Sequence, residues 1–240
     1  MVLCYPSNPT AATADLDFYK EAVRIAKKHD IWILSDLAYN EIYFDAPPPS
    51  ILQVEGARDI AIETTTMSKT YSMAGWRIGF AAGNERLIAA LGRVKSYLDY
   101  GAYTPIQVAA TAALDGPQDC VEDTRRIYRA RRDTLIESFG RAGWDMPVPS
   151  ASMFCWAPVP PQCNGMSSLD FSLALINQAG VAVAPGSGFG ERGEGYVRIA
   201  LVENEQRIRQ AARNIKRFLQ NREADSRSAG DAMQAGGAAN

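Results

Sequence analysis

The sequence predicts an α/β fold: a mostly parallel sheet with flanking helices, followed by a smaller α+β layer. Three observations point there. Short apolar runs alternate with amphipathic helical stretches through the first half of the chain, the pattern of a parallel sheet with crossover helices. Ile31-Trp32-Ile33-Leu34 is a continuous apolar run, as expected of a strand buried on both faces, and the apolar run Ile60-Ala61-Ile62 reads as a second buried strand. Beyond Met146-Pro147-Val148-Pro149 the order changes to strand, loop, helix, strand, loop, strand, helix, which reads as a small α+β layer.

Taken in order, Met1–Tyr5 reads as a strand and Pro6-Ser7-Asn8-Pro9-Thr10 as a loop. Asp15 can cap a helix over Leu16–His29, where Leu16, Tyr19, Ala22, Val23 and Ala26 keep the helical period. The strand at 31–34 ends near Ser35-Asp36, and the strand at 60–62 leads into Thr64-Thr65-Thr66-Met67-Ser68-Lys69-Thr70. A further apolar run covers Ile78–Ala82. Helices are expected over Glu85–Tyr100, Pro105–Leu114 and Gln118–Ala142, the last ended by Gly143 and laced with Arg125, Arg126, Arg129, Arg131 and Arg132, which read as a solvated face. Strands at Ser152–Ala157, Val181–Ala184 and Tyr196–Leu201 and helices at Leu169–Ala179 and Glu205–Gln220 follow. The domains expected are 1–117, 118–220 beginning inside the long helix, and a disordered tail over 221–240 that lacks apolar side chains.

Composition narrows the function. The 240 residues are 47% hydrophobic and 22% charged, ordinary for a globular protein. A net charge of −2 without a basic block argues against nucleic acid or an anionic membrane as partner. No apolar run approaches the ~18 residues of a membrane span. The four cysteines, at 4, 120, 155 and 163, form no C-x-x-C pair, and His29 is the one histidine. A metal site, a disulfide framework and a histidine-based nucleophilic mechanism are all disfavoured, and a reduced, cytoplasmic setting is expected.

Asn8, Asp36 and Lys69 each fall just past the carboxyl end of a predicted strand, where α/β sheets bind ligands. Lys69 stands among hydroxyls with Arg77 eight residues on; a solvated turn is the plain alternative. A lysine amine makes Schiff bases with carbonyls, and hydroxyl donors with an arginine suit a phosphate. Asp36 is either a loop cap or the partner of a cationic ring nitrogen. At ~4 Å such a pair is worth roughly 4 kcal/mol at an effective dielectric near 20, or about three pKa units. Tyr39 could bond a phenolic oxygen on the same ring. Arg198, inside the apolar strand, either points to solvent or offers its fork to a carboxylate. Pro185-Gly186-Ser187-Gly188-Phe189-Gly190 is a weak match to a phosphate cradle and reads as a turn-rich loop near a site entrance.

The Asn8-Pro9-Thr10 loop, Asp36-x-x-Tyr39, Ser68-Lys69-Thr70 with Gly75-Trp76-Arg77-Ile78-Gly79, and the Arg198 strand together resemble a fold-type I, pyridoxal-phosphate-dependent aminotransferase of class I/II over about Leu3–Leu219. Lys95-Ser96-Tyr97, Asp99-Tyr100-Gly101 and Arg131-Arg132-Asp133 look most like bacterial alanine (glutamate–pyruvate) aminotransferases, near the diaminopimelate branch. The resemblance implies transamination between an amino acid and a 2-oxo acid, with pyridoxal 5'-phosphate held covalently by Lys69. It implies that Asp36 keeps the pyridine nitrogen protonated, and that Tyr39 and Asn8 bond the phenolic oxygen. Thr66, Ser68 and Arg77 would hold the phosphate; Asn8 and Arg198 would take the substrate carboxylate. A cis Asn8–Pro9 bond and a homodimer of the full-length form are also implied. The family carries a large segment before the Asn-Pro loop, so the chain is expected to be a C-terminal portion with weakened or absent activity alone. A fold-type I lyase and a non-catalytic cofactor-binding remnant are the competing readings.

Overall fold

The computed structural model describes the backbone of residues 1–237 and the side chains of residues 1–224. It divides the chain into two compact units, Met1–Tyr128 with Ser150–Met153, and Arg129–Pro149 with Phe154–Asn240. The division falls inside the long helix, eleven residues past the 117/118 boundary read from sequence.

In the first unit, β1 (Val2–Cys4), β2 (Ile33–Asp36), β3 (Ala61–Thr66) and β4 (Gly79–Gly83) form a sheet in that order. The first three are parallel and β4 is antiparallel to β3. Helix α1 (Leu16–Lys28) starts at Asp15, whose Oδ1 accepts the Phe18 N–H at 2.8 Å. Its Tyr19, Val23 and Ala26 pack with Ile33, Ile51 and Ala61 into the main core of this unit. One-turn α2 (Met67–Thr70) leaves the end of β3, and its Met67 packs with Met73 and Ala110, the latter from α4 (Thr104–Asp115). Between them lies α3 (Glu85–Leu98), with Asn84 Oδ1 accepting the Leu87 N–H at 3.2 Å.

Two expectations are corrected here. The strand read as buried on both faces is buried on one: Ile33 is 0% exposed, Leu34 36% and Trp32 41%. Helix α1 covers the Ile33 side, whereas Trp32 meets the Arg86 guanidinium at 5.6 Å from its ring. The arginine-laced helix α5 (Asp119–Gly140) is not wholly a solvated face either. The Arg125 side chain is 17% exposed, lies 4.5 Å over the Tyr43 ring and donates to the Tyr43 hydroxyl at 2.6 Å. Arginine stems bury readily when the planar head finds an aromatic face and an acceptor.

In the second unit β5 (Phe154–Pro158), β7 (Tyr196–Ala200) and β6 (Ala184–Pro185) form an antiparallel sheet in the order β5-β7-β6. Helix α6 (Ser168–Ala174) continues into a π-helical turn, Leu175–Ala179, that Gly180 ends at φ +65°. Trp144, Phe171, Leu175, Leu201, Ile215 and Leu219 are fully buried. Where a disordered tail over 221–240 is expected from sequence, the backbone of α7 (Glu205–Gly237) runs on as helix through good helix formers such as Arg222 and Ala224. The side chains from 225 and residues 238–240 lie outside the described residues.

All four cysteines are free: Cys120 is exposed, Cys4 half-buried, and Cys155 and Cys163 buried. Burial pushes the Cys155 thiol up to about 12 and the Tyr19 phenol likewise to about 12, the latter helped by the Glu63 charge. An acid whose pKa is raised by folding supports the folded state below its unfolded pKa and loses that support as pH rises through the folded value. Stability is therefore expected to fall between about pH 9 and 12. A thiol reagent at pH 8 should modify Cys120 first and reach Cys155 only on unfolding. Prompt labelling of Cys155 in the native chain would contradict the burial described. No helix among the described residues is long and apolar enough to cross a membrane, and no group of three or more His, Cys, Asp or Glu there could hold a metal ion.

Candidate active site

The carboxyl ends of β1, β2 and β3 lie side by side, because the register pairs Cys4 with Asp36 and Asp36 with Thr64. Asp36 ends β2 half-buried, and its Oδ1 accepts the Ala38 N–H at 3.2 Å. The Leu37 N–H then donates to the Thr64 carbonyl at 2.8 Å, which turns the chain so that Tyr39 is buried. Lys69 Nζ stands 6.0 Å from the centroid of the Tyr39 ring. Cys4 links this group to the first loop. The Asn8 backbone N–H hydrogen-bonds its sulfur, while burial and the nearby Asp36 carboxylate raise its pKa. Asn8 itself is exposed, and the Asn8–Pro9 and Tyr5–Pro6 bonds are both cis.

Strand β3 carries the second half of the site. Thr66 caps α2: its hydroxyl accepts the Ser68 N–H at 3.2 Å and sits 2.9 Å from the Ser68 hydroxyl. The intervening loop is closed at its base by the Thr66–Gly79 pair and by the Met67 N–H donating to the Ile78 carbonyl at 3.1 Å. Only glycine fits at 79, since a Cβ there would come within 2.4 Å of the Thr65 carbonyl oxygen. That closure returns Arg77 to the end of the strand that releases Lys69. Arg77 is exposed, lies in the left-handed region at φ 52°, ψ 51°, and donates from Nη1 to the Ala74 carbonyl at 2.9 Å.

Seven of the eight residues singled out from sequence, Asn8, Asp36, Tyr39, Thr66, Ser68, Lys69 and Arg77, belong to the first unit. Arg198 belongs to the second, where its guanidinium lies 4.3 Å from the Phe154 ring and 4.7 Å from the Phe189 ring. The donor set in the first unit fits the chemistry of pyridoxal phosphate. A carboxylate suits a protonated ring nitrogen, an amine suits the aldehyde, and two hydroxyls with a guanidinium suit the phosphate.

Two cavities adjoin these residues. One of ≈280 Å³ is lined by Cys4, Asn8 and their loop. Another of ≈270 Å³ reaches Thr65 and Thr66 and is walled by Asn40, Tyr71, Gln118 and Arg125, but not by Asp36 or Lys69. Sequence reasoning missed this second space. Its wall joins residues 47 apart, as in the 2.7 Å bond from the Tyr71 hydroxyl to Gln118, and no local pattern announces such a pair.

The profile of the family "Aminotransferase class I and II" matches residues 1–215. The chain is 66% identical over 220 residues to aminotransferase AatC of Rhizobium meliloti (strain 1021), covering 91% of this chain and 54% of that protein. It is 52% identical over 217 residues to glutamate-pyruvate aminotransferase AlaC of Escherichia coli (strain K12), covering 90% and 53%. Proteins named LL-diaminopimelate aminotransferase also match. Substrate-bound BacF from Bacillus subtilis superposes with a TM-score of 0.87 at 37% identity, covering 91% of this chain and 55% of that one. The chain thus spans about half the length of the curated relatives it matches. By the family profile, these relatives and the shared fold, the chain belongs to the aminotransferase class I and II family.

Proposed function

We propose that the whole protein is a pyridoxal-phosphate-dependent aminotransferase that exchanges an amino group between an amino acid and a 2-oxo acid, with Lys69 as its covalent anchor. Alanine or glutamate is the favoured donor and 2-oxoglutarate or pyruvate the acceptor, after the likeness to AlaC; LL-diaminopimelate is the next donor to try. The observation that carries the reading is the shared carboxyl end of β2 and β3, which brings one carboxylate, one buried phenol and one lysine together beside Thr66 and Ser68.

When bound, the cofactor supplies an electron sink for the charge that develops at the substrate Cα. The chain's own residues do the rest. Lys69 Nζ would take and return the Cα proton, a role suited to an amine. The Asp36 carboxylate holds a proton on the ring nitrogen. The Tyr39 hydroxyl and the Asn8 amide orient the ring by its phenolic oxygen. Thr66, Ser68 and Arg77 bind the phosphate, and Asn8 and Arg198 bind the substrate α-carboxylate. A homodimer, a cytoplasmic setting in keeping with four free cysteines, and a part in amino-acid metabolism complete the proposal.

The test is a product balance. With pyridoxal phosphate, L-alanine and 2-oxoglutarate, the protein should yield pyruvate and glutamate in equal amounts. Release of ammonia or carbon dioxide in their place would sink transamination in favour of a lyase built on the same residues.

A further inference from the structure

Arg198 sits in an aromatic seat that its strand alone does not provide. Phe154 and Trp156 share one face of β5, Tyr196 and Arg198 share one face of β7, and the register sets Trp156 opposite Arg198. Trp156 stacks on Tyr196 at 5.4 Å and 6°. The remaining ring comes from outside the sheet: Phe189 lies 4.7 Å from the Arg198 guanidinium and edge-on to Trp156 at 5.9 Å. Phe154 holds the guanidinium at 4.3 Å. A planar cation contacted by two ring faces loses freedom to swing.

Phe189 is 40% exposed, so burial does not explain its place. Its loop is fastened instead. The buried Ser168 donates its N–H to Glu194 at 2.6 Å and its hydroxyl to the same carboxylate at 2.9 Å. The Ser187 N–H donates to the Ser168 hydroxyl at 3.2 Å, two residues before Phe189. The backbones at Gly186 and Gly193 touch so closely that a Cβ on Gly186 would lie 1.9 Å from the Gly193 carbonyl oxygen. The loop therefore leaves its strand along one path, and that path ends with a ring against Arg198.

We propose that Phe189 is a positioning residue for Arg198: with Phe154 it fixes the guanidinium plane, so that the fork is set for an α-carboxylate before substrate arrives. The proposal rests on reading Arg198 as the carboxylate clamp. It gives the loop Pro185–Gly190 a part in recognising 2-oxo and α-amino acids.

The test uses the full chain with pyridoxal phosphate, as wild type, Phe189→Leu, Phe189→Tyr and Arg198→Lys. Two quantities are read: the Arg198 Nε–H resonance by NMR, and the dissociation constant for 2-oxoglutarate by calorimetry. In wild type the resonance should be displaced by the ring currents. Phe189→Leu should move it toward the ordinary arginine position and weaken 2-oxoglutarate binding about tenfold. Phe189→Tyr keeps the ring face and should restore both to within about twofold. Arg198→Lys should lose most of the affinity. If Phe189→Leu leaves either the resonance or the affinity as in wild type, the positioning role is overturned while the clamp stands. Unchanged affinity in Arg198→Lys removes the clamp and with it what Phe189 would position. The resonance in the unliganded chain still tells these failures apart.

Discussion

Replacing Lys69 with alanine should abolish the visible absorption that pyridoxal phosphate gains on covalent attachment to a lysine, and should lower the transamination proposed for the whole protein by about 10²–10⁴-fold. The reason is local. Lys69 is the amine that α2 presents to the Tyr39 ring, and α2 is a single turn held by the Thr66 cap. Removing the side chain leaves that cap, the Thr66–Gly79 pair and the Met67–Ile78 bond in place. Global stability should therefore change by less than about 1 kcal/mol. Lys69→Arg keeps a charge but has no amine that can condense with the aldehyde, so it should fail in the same way. A saturable visible band persisting in Lys69→Ala, with the far-ultraviolet dichroism unchanged, would end the assignment of Lys69 as anchor.

The second large effect concerns folding. Trp144→Ala is expected to destabilise the second unit by about 3–5 kcal/mol, read as a lower urea midpoint at unchanged slope. Trp144 is 0% exposed, stacks on Phe139 at 5.6 Å and meets Phe171 edge-on at 5.3 Å. Its Nε1 donates to the Pro158 carbonyl at 2.8 Å, tying the end of α5 to the end of β5. The substitution opens a cavity and leaves that carbonyl without its donor, two costs that add. Trp144→Phe keeps an aromatic ring, though a smaller one, and not the donor, and should lose less. A midpoint in Trp144→Ala equal to wild type would mean that this core is not what holds the unit together.

Much of this was readable in the residue order because local chemistry dictates it. Asp15 caps α1, Gly143 turns at φ +92° after α5, and the strand-then-loop rhythm puts Asn8, Asp36 and Lys69 past strand ends. What escaped was non-local. The apolar run at 31–34 begins two residues before its strand, because the Ile31 N–H is taken by the Ala26 carbonyl at the helix end and strand pairing reaches on to Asp36. The threonines at 64–66 read as a hydroxyl cluster after a strand, yet they are the strand, since β4 supplies ladder partners through Gly79. The burial of Arg125 depends on Tyr43, 82 residues away. The aromatic seat of Arg198 depends on Phe189, from a loop that no spacing rule connects to the Phe154–Trp156 strand or to Arg198.

Arg77 leads somewhere else. Its backbone occupies a region that glycine enters freely and that other L-residues enter at a cost of about 1–2 kcal/mol. Glycine at 77 would relax that conformation and strengthen the fold, and it would erase the cation at the strand end. A chain selected only for thermal endurance would drift to glycine there. With the phosphate-binding role proposed for Arg77, durability and chemistry would be rivals at this position, and the sequence that folds best would differ there from the sequence that works best.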